Sequence, residues 1–574
     1  MSKNKKLIFF SILILLTVNL AVFLPSMTGD FLWDDKTLIS ENPNLLSPDF
    51  LKKFLFSPFG SISGLDENSV QLEKSKQFYR PLTSLSYWID YKIWNFNPGG
   101  FHLTNIILNM INVILLFLIL MTISQKIPVS FWGALLFSVF PFHFENVSWI
   151  SGRTDLLAFL FASLSVLCFV NYSKKKNHLS LVLSVVFYFS SLLSKECGVL
   201  LILVFFFFLY FKERNFKNSI VSILPYLFSL VIWIILRNEA LKILSFDYSG
   251  KTILDLLASI GFYFIRLIFP YHLSFTIDPY RVFDHGFYIV VGGLISIITL
   301  IALLLLFIKK TRYHKYFLFL ISFYVLLFPS LVIIFSSRTA SYMAWRFLYL
   351  PSAIFLFFLV YIIFNKIKNK YVCAFLVLLL FFSYTLEIYP KNKAFGKNED
   401  GFWLSFKDIN REDLLAKYNV GFTYLPLNEK KALEILNRVI SQKEHHLNEI
   451  YTLKIYEDLA QYYTFEKEFE KAEKYFYMLQ LKRDTQSQHF YFTYAYYLAL
   501  KGKPEEGERI VEKMLSLFPE NHKVLFHAGW FYMIINEYQK AEKLLTKDYR
   551  LFPNRETLEY LNKIKKEMQS EKDV

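Results

Sequence analysis

Val204-Phe205-Phe206-Phe207-Phe208-Leu209-Tyr210 decides what solvent this chain folds in. A run of nearly pure aromatic hydrocarbon has no polar face, so no water-exposed helix carries it, whereas a bilayer favours it. Working outward, and taking about 20 apolar residues as the length that crosses a membrane, candidate spans lie near residues 7–25, 101–123, 128–142, 155–172, 179–194, 197–211, 219–237, 287–308, 315–336, 346–365 and 371–389. The whole chain agrees: its 574 residues are 54% hydrophobic, with 63 Phe and 37 Tyr. A mean hydropathy of +0.34 is too apolar for a soluble protein of this length.

The formal charge of +15 comes largely from short clusters between the apolar runs: Lys3/Lys5/Lys6, Lys126, Lys174–Lys176, Lys212/Arg214/Lys217, Lys309/Lys310/Arg312/Lys315 and Lys366/Lys368/Lys370. If the spans alternate, all six clusters fall on one face. That is the positive-inside pattern rather than a nucleic-acid footprint. The N-terminus is then cytoplasmic, a large loop over 26–100 is extracytoplasmic, and everything beyond Tyr389 is extracytoplasmic too. The segment 252–270 breaks the alternation unless it is interfacial or re-entrant. The first apolar run lacks a small-residue cleavage site and reads as an uncleaved span. Cys168, Cys197 and Cys373 all lie in or beside apolar runs, so the cysteines outline neither a disulfide framework nor a zinc site.

Beyond Pro390 the composition turns to Glu, Lys, Tyr and Leu. Leu517-Phe518-Pro519 recurs as Leu551-Phe552-Pro553, 34 residues on, which is the tetratricopeptide period. Gly529, Tyr532 and Ala541 answer to Ala495, Leu498 and Gly507, with earlier marks at Ala460, Tyr463, Ala472, Gly421 and Tyr424. The expected fold is therefore all-α: a polytopic membrane bundle of about eleven spans over 1–390, a linker over 391–410 and a tetratricopeptide-repeat solenoid over 411–574. Such stacks present a concave surface suited to an extended peptide.

Ionisable groups at membrane depth are costly, and here they gather at the extracytoplasmic ends. Asp34 and Asp35 follow the first span, and two adjacent carboxylates suit proton abstraction from a hydroxyl or metal binding. Arg80, Arg153, Lys195 and Arg346 reach the same face, enough cation to hold a lipid phosphate. His102, His143, Glu145, Asp155 and Glu196 stand among them. Each has a plainer reading as a helix cap, a headgroup contact or a neutralised turn, and it is their common face that points to a site.

Trp33-Asp34-Asp35, Tyr79-Arg80-Pro81-Leu82-Thr83, Phe101-His102-Leu103-Thr104-Asn105, the block from His143 to Asp155, Ser194-Lys195-Glu196 and the stretch from Arg346 to Ser352 together resemble bacterial relatives of the transmembrane and tetratricopeptide-repeat-containing O-mannosyltransferases. The resemblance implies a GT-C type glycosyltransferase that takes a hexose, mannose-like, from a polyprenyl-phosphate carrier and delivers it to protein Ser/Thr or another envelope acceptor. It implies Asp34 as general base. Arg80, Arg153, Lys195 and Arg346 would face the donor phosphate, and His102, His143, Glu145, Asp155 and Glu196 would position substrate, with Glu145 either neutralising an arginine or positioning the sugar. Asp35 either orients the acceptor or joins Asp34 in binding a divalent cation, Mg or Mn. The expected partners are the lipid-linked sugar, a protein or peptide acceptor on the repeats, and membrane lipid. Phe/Lys/Asn-rich usage fits a bacterial inner membrane with the repeats in the periplasm. Two other classes compete: a non-catalytic membrane-anchored repeat scaffold, for which one span would suffice, and a transporter, which would place charges near mid-bilayer.

Overall fold

A computed structural model describes residues 3–570 apart from 41, 43–44, 46–48, 60–77, 242–249, 272, 275–276, 278–281, 284, 309–313, 336–342, 406–413, 442–447, 482–486, 520 and 552–554. Every described regular element is helical. The chain divides into two compact units, one formed by Met1–Ser40, Leu51–Phe59 and Gln77–Ala416, the other chiefly by Lys417–Val574.

Among the described residues of the first unit eight helices are long and apolar enough to cross a membrane: Asn4–Thr28, Pro98–Ser124, Ile150–Lys175, Phe216–Leu241, Gly286–Ile308, Tyr316–Phe335, Trp345–Lys366 and Lys370–Phe395. The protein is an integral membrane protein. Ile127–Ser138 and Pro141–Val147, bent by 46° across their break, make a ninth span if counted as one. The two remaining expected spans are shorter helices, His178–Ser194 of 17 residues and Leu201–Glu213 of 13. The cluster at Lys309/Lys310/Arg312 lies outside the described residues. Lys370–Phe395 runs on through Pro390, and Glu399–Ser405 also belongs to this unit, so much of the stretch expected as linker is helical.

The segment expected to be interfacial or re-entrant forms the helix Ile253–Ile268, started by a capping box of Thr252 and Asp255. It packs against Gly286–Ile308, whose only buried residue is Gly292. A β-carbon on Gly292 would stand 1.8 Å from the Leu257 carbonyl oxygen. Glycine here lets two backbones touch, the usual way helices associate where lipid removes the hydrophobic drive.

The second unit is a series of helix pairs: Leu414–Tyr424 with Glu429–Ile440, Asn448–Phe465 with Phe469–Gln480, Gln488–Leu500 with Pro504–Leu517, His522–Ile534 with Tyr538–Leu551, then Arg555–Ser570. Equivalent helices begin 34 residues apart, at 488 and 522 and again at 504 and 538. Phe552 and Pro553 of the sequence recurrence fall outside the described residues. Ala460, Ala472, Ala495, Ala528 and Ala541 are wholly buried, as close helix approach requires.

Candidate active site

The first span ends in a tight turn, Leu24–Thr28, after which Trp33 adopts a left-handed backbone with φ of 46°. A bulky residue there is strained by about 1–3 kcal/mol. Its surroundings impose it: the indole meets Trp149, Phe402 and Trp403 at centroid distances of 5.9, 4.8 and 5.4 Å, with Phe395 at 6.3 Å. The chain then bends so that Asp34 and Asp35 diverge. Asp35 turns inward and is fully buried. One oxygen accepts from the Leu32 amide at 3.1 Å, while the other accepts from the Ser151 amide at 2.8 Å and from the Ser151 hydroxyl. Asp34, by contrast, is exposed.

We expect Trp33→Ala to lower stability by about 2 kcal/mol, roughly half the cost of emptying a fully buried aromatic site because the indole is half-buried. A thermal melt of the detergent-solubilised protein checks this, and an unchanged midpoint would remove the aromatic clamp from the account.

The two carboxyls also differ electrostatically. Burial pushes Asp35 up to about 7, against the lowering effect of the Ser151 and Leu32 hydrogen bonds and with the Asp34 charge adding to the rise. Asp34 is raised as well, by burial first, while the charges of Arg346 and Arg80 pull it back in part. The sign for stability follows. Between its ordinary value of 3.8 and about 7, Asp35 binds more proton folded than unfolded, so folding weakens as pH climbs through that window. Asp35→Asn should flatten this trend, and melts at pH 4, 5, 6 and 7 test it; parallel slopes in both proteins would contradict it.

The broken helix segment 141–152 supplies the opposite wall. Gly152 lets this turn close, since a β-carbon there would sit 2.4 Å from the Glu145 carbonyl oxygen. Asn105, on the span Pro98–Ser124, pins the turn by donating to the carbonyls of Trp149 and Ile150, both at 3.1 Å. Ser148 donates to Asn392 at 2.8 Å, and Asn392 donates to the Val22 carbonyl at 2.9 Å, tying the first and last spans to the same turn.

The four cations expected at a phosphate are all found paired with acids. Arg80 forms a forked bridge to Glu196, with Nη2–Oε1 at 2.7 Å and Nε–Oε2 at 3.2 Å, and stacks over Phe78 at 4.2 Å. Lys195 pairs with Asp155 at 2.6 Å. Arg346 pairs with Glu145, which also accepts from the Arg346 amide at 2.9 Å. Arg153 is completely buried. It pairs with Asp90 at 2.6 Å and donates to the Asn105 side-chain oxygen at 2.7 Å and the Phe101 carbonyl at 2.9 Å. Thus Glu145, Asp155 and Glu196 are the counter-ions of the expected phosphate ligands. Arg80 and Arg346 keep 11% and 21% of their side chains exposed, against 8% for Lys195 and 0% for Arg153. Burial raises Glu196, but the Arg80 charge and hydrogen bonds overcome it and hold the carboxyl at about 2.

The histidines stand behind this surface. His143 is buried among Phe137, Phe140 and Tyr349 with Nε2 at 3.0 Å from the Ser352 hydroxyl, and His102 is buried beside Gly29. Asp34 therefore lies within the field of Arg346 and Arg80, which hold Glu145 and Glu196, and Asp35 is tied to the turn at Ser151. Asp155 and Lys195 line a small recess with Glu196, and Arg153, His102 and His143 are buried in this candidate site. Trp33, Asp90, Asn105 and Ser151 complete it. All but Asp90 lay in motifs quoted above, yet only their charged neighbours were singled out. Both oxygens of Asp35 are engaged by hydrogen-bond donors. Among the described residues no group of three His, Cys, Asp or Glu side chains stands ready for a metal ion.

No family model matches the chain. It is similar over part of its length to curated proteins: 27% identical over 217 residues to a protein O-mannosyl-transferase of Caenorhabditis elegans, 33% over 150 residues to protein O-mannosyl-transferase TMTC1 of Homo sapiens, and 34% over 173 residues to protein O-mannosyl-transferase TMTC4 of Mus musculus. These matches take in 37%, 26% and 28% of this chain, and only 30%, 16% and 22% of the respective relatives.

Proposed function

We propose that the protein is a glycosyltransferase that moves a hexose from a polyprenyl-phosphate carrier onto a Ser or Thr hydroxyl of a protein at the extracytoplasmic face of a bacterial inner membrane. In this reading the N-terminus is cytoplasmic, and the helix pairs beyond Lys417 form a tetratricopeptide array that receives the acceptor. One observation carries it above the others: Asp34 is the exposed carboxylate of a pair whose other member is locked, its basicity is raised by burial, and two guanidinium charges stand near it. The protein names of the partial relatives supply the reaction class.

The acceptor oxygen attacks the anomeric carbon as the bond from that carbon to the phosphate oxygen breaks. The hydroxyl proton passes to Asp34, and the bonding pair leaves on the phosphate, so inversion results. Arg80 and Arg346, the two cations with exposed edges, face that phosphate, where the charge they share with Glu196 and Glu145 stabilises the leaving group. Lys195, paired with Asp155, sets the floor of the recess. Arg153 acts through Asn105 by holding the turn that carries Ser151, and His102 and His143 buttress the same wall. Asp35 holds the loop so that Asp34 points at the acceptor. No step is assigned to a divalent cation.

The test is direct. Full-length protein in liposomes is given radiolabelled polyprenyl-phosphate mannose and a Ser/Thr-rich acceptor protein. Label that enters the protein and is released by alkaline β-elimination supports the reading. With every plausible hexose tried on that carrier and no label transferred, a scaffold role would take its place.

A further inference from the structure

A cavity of about 430 Å³ runs through the membrane unit between Pro98–Ser124, Arg153–Lys175, Leu201–Glu213, His314–Val332 and Tyr349–Lys366. That volume is typical of a ligand site rather than a packing defect. Its walls are hydrocarbon, dominated by Phe159, Phe169, Phe205, Phe208 and Phe319, with three hydroxyls at Thr122, Ser163 and Ser322. Along Arg153–Lys175 it extends from Phe159 to Lys174, about 22 Å at the rise of a helix, enough for a chain that crosses one leaflet of roughly 15 Å.

The two ends differ in charge. At one end Leu326 and Leu350 are shared with the recess lined by Asp155, Lys195 and Glu196. There each cation already has an acid, Lys195 with Asp155 and Arg80 with Glu196. At the other end the lining includes Lys174 and Lys212. Among the described residues neither forms an ion pair; Lys212 donates to the Ser173 carbonyl, and the neighbouring Glu213 is taken by Lys176. An apolar shaft with uncompensated positive charge at one mouth matches an amphiphile with a negative head.

We propose that this cavity binds one acyl chain of an anionic phospholipid, with the headgroup on Lys174 and Lys212. The chain tip then lies against Leu326 and Leu350, beneath the recess, so the lipid supports the floor of the site without taking part in transfer. The site is distinct from any carrier phosphate at Arg80 and Arg346, and it stands whether or not the transferase reading does.

The experiment uses purified full-length protein, delipidated in an uncharged detergent and titrated with phosphatidylglycerol, phosphatidylcholine of the same acyl chains, or polyprenyl phosphate. Native mass spectrometry reads bound lipid and a thermal melt reads stability. Each lysine at an anionic headgroup contributes about fivefold, so phosphatidylglycerol should be preferred by roughly 30-fold, bind one per chain and raise the melting midpoint. Lys174→Gln with Lys212→Gln, both at the periphery of the helices, should remove the preference while leaving residual chain binding. Equal binding of the two phospholipids by the wild type overturns the proposal. So does a preference that survives in the double variant. Displacement of phosphatidylglycerol by polyprenyl phosphate, with an affinity the double variant does not alter, also overturns it and assigns the shaft to the carrier.

Discussion

Asp34→Asn should abolish transfer, lowering kcat about a thousandfold while the protein inserts and melts as the wild type does, which is the middle of the range for loss of a general base. The reason lies in how differently the two carboxyls are held. Among the described residues the Asp34 side chain makes no hydrogen bond, whereas Asp35 anchors the loop through Ser151 and Leu32. Replacing Asp34 by its amide therefore removes a proton acceptor and a desolvated charge with little structural cost, and stability should hold or rise slightly. The raised Asp34 carboxyl adds a pH signature: as a base it works only when ionised, so the rate falls on acidification through its raised pKa. That limb should vanish in the residual activity of Asp34→Asn. Unchanged transfer in this variant would remove Asp34 as the base and turn attention to the acceptor-binding role of the loop.

The largest effect on stability is expected at Arg153. Its guanidinium is enclosed by Asp90, the Asn105 side chain, the Phe101 carbonyl and the Tyr87 ring, at 4.9 Å. Arg153→Met leaves Asp90 as an uncompensated charge, for which breaking one side of a buried pair costs about 3–5 kcal/mol. The variant should accumulate poorly and melt well below wild type. Adding Asp90→Asn removes the stranded charge, so the double variant should recover part of the loss, and the coupling between the two substitutions measures the pair itself. Purely additive effects would show that the two side chains do not act as a pair. Because Asn105 and the turn 147–152 depend on Arg153, the rescued protein should still transfer sugar slowly.

Much of this molecule is legible from its residues because lipid is an unforgiving solvent. Hydropathy alone locates the apolar helices, and the 34-residue recurrence locates the helix pairs, since both are properties of a segment by itself. Of the candidate site, the charged residues are legible as a set, and the structure pairs Arg80 with Glu196, Lys195 with Asp155 and Arg346 with Glu145. What could not be read was their allotment. Charge type says that Arg153 suits a phosphate, but only packing shows it enclosed beside Asp90, a residue hidden in the unremarkable helix Pro81–Trp94. In the same way the sequence does not say which cation each of Glu145, Asp155 and Glu196 neutralises, because pairing across about 40 to 200 residues is a tertiary fact. The left-handed Trp33 is likewise imposed by neighbours rather than by local preference, whereas the bend between Ile127–Ser138 and Pro141–Val147 falls at Pro141, a local break.

Trp33 also has a bearing on biosynthesis. Its indole is received by Phe395, Phe402 and Trp403, which leave the ribosome some 370 residues after it does. Ser151, 116 residues beyond Asp35, and Trp149 reach the bend earlier, but the aromatic clamp around Trp33 is complete only when these last partners arrive. The clamp on Trp33 thus closes only once the last apolar helix among the described residues, Lys370–Phe395, and the short helix behind it have been made.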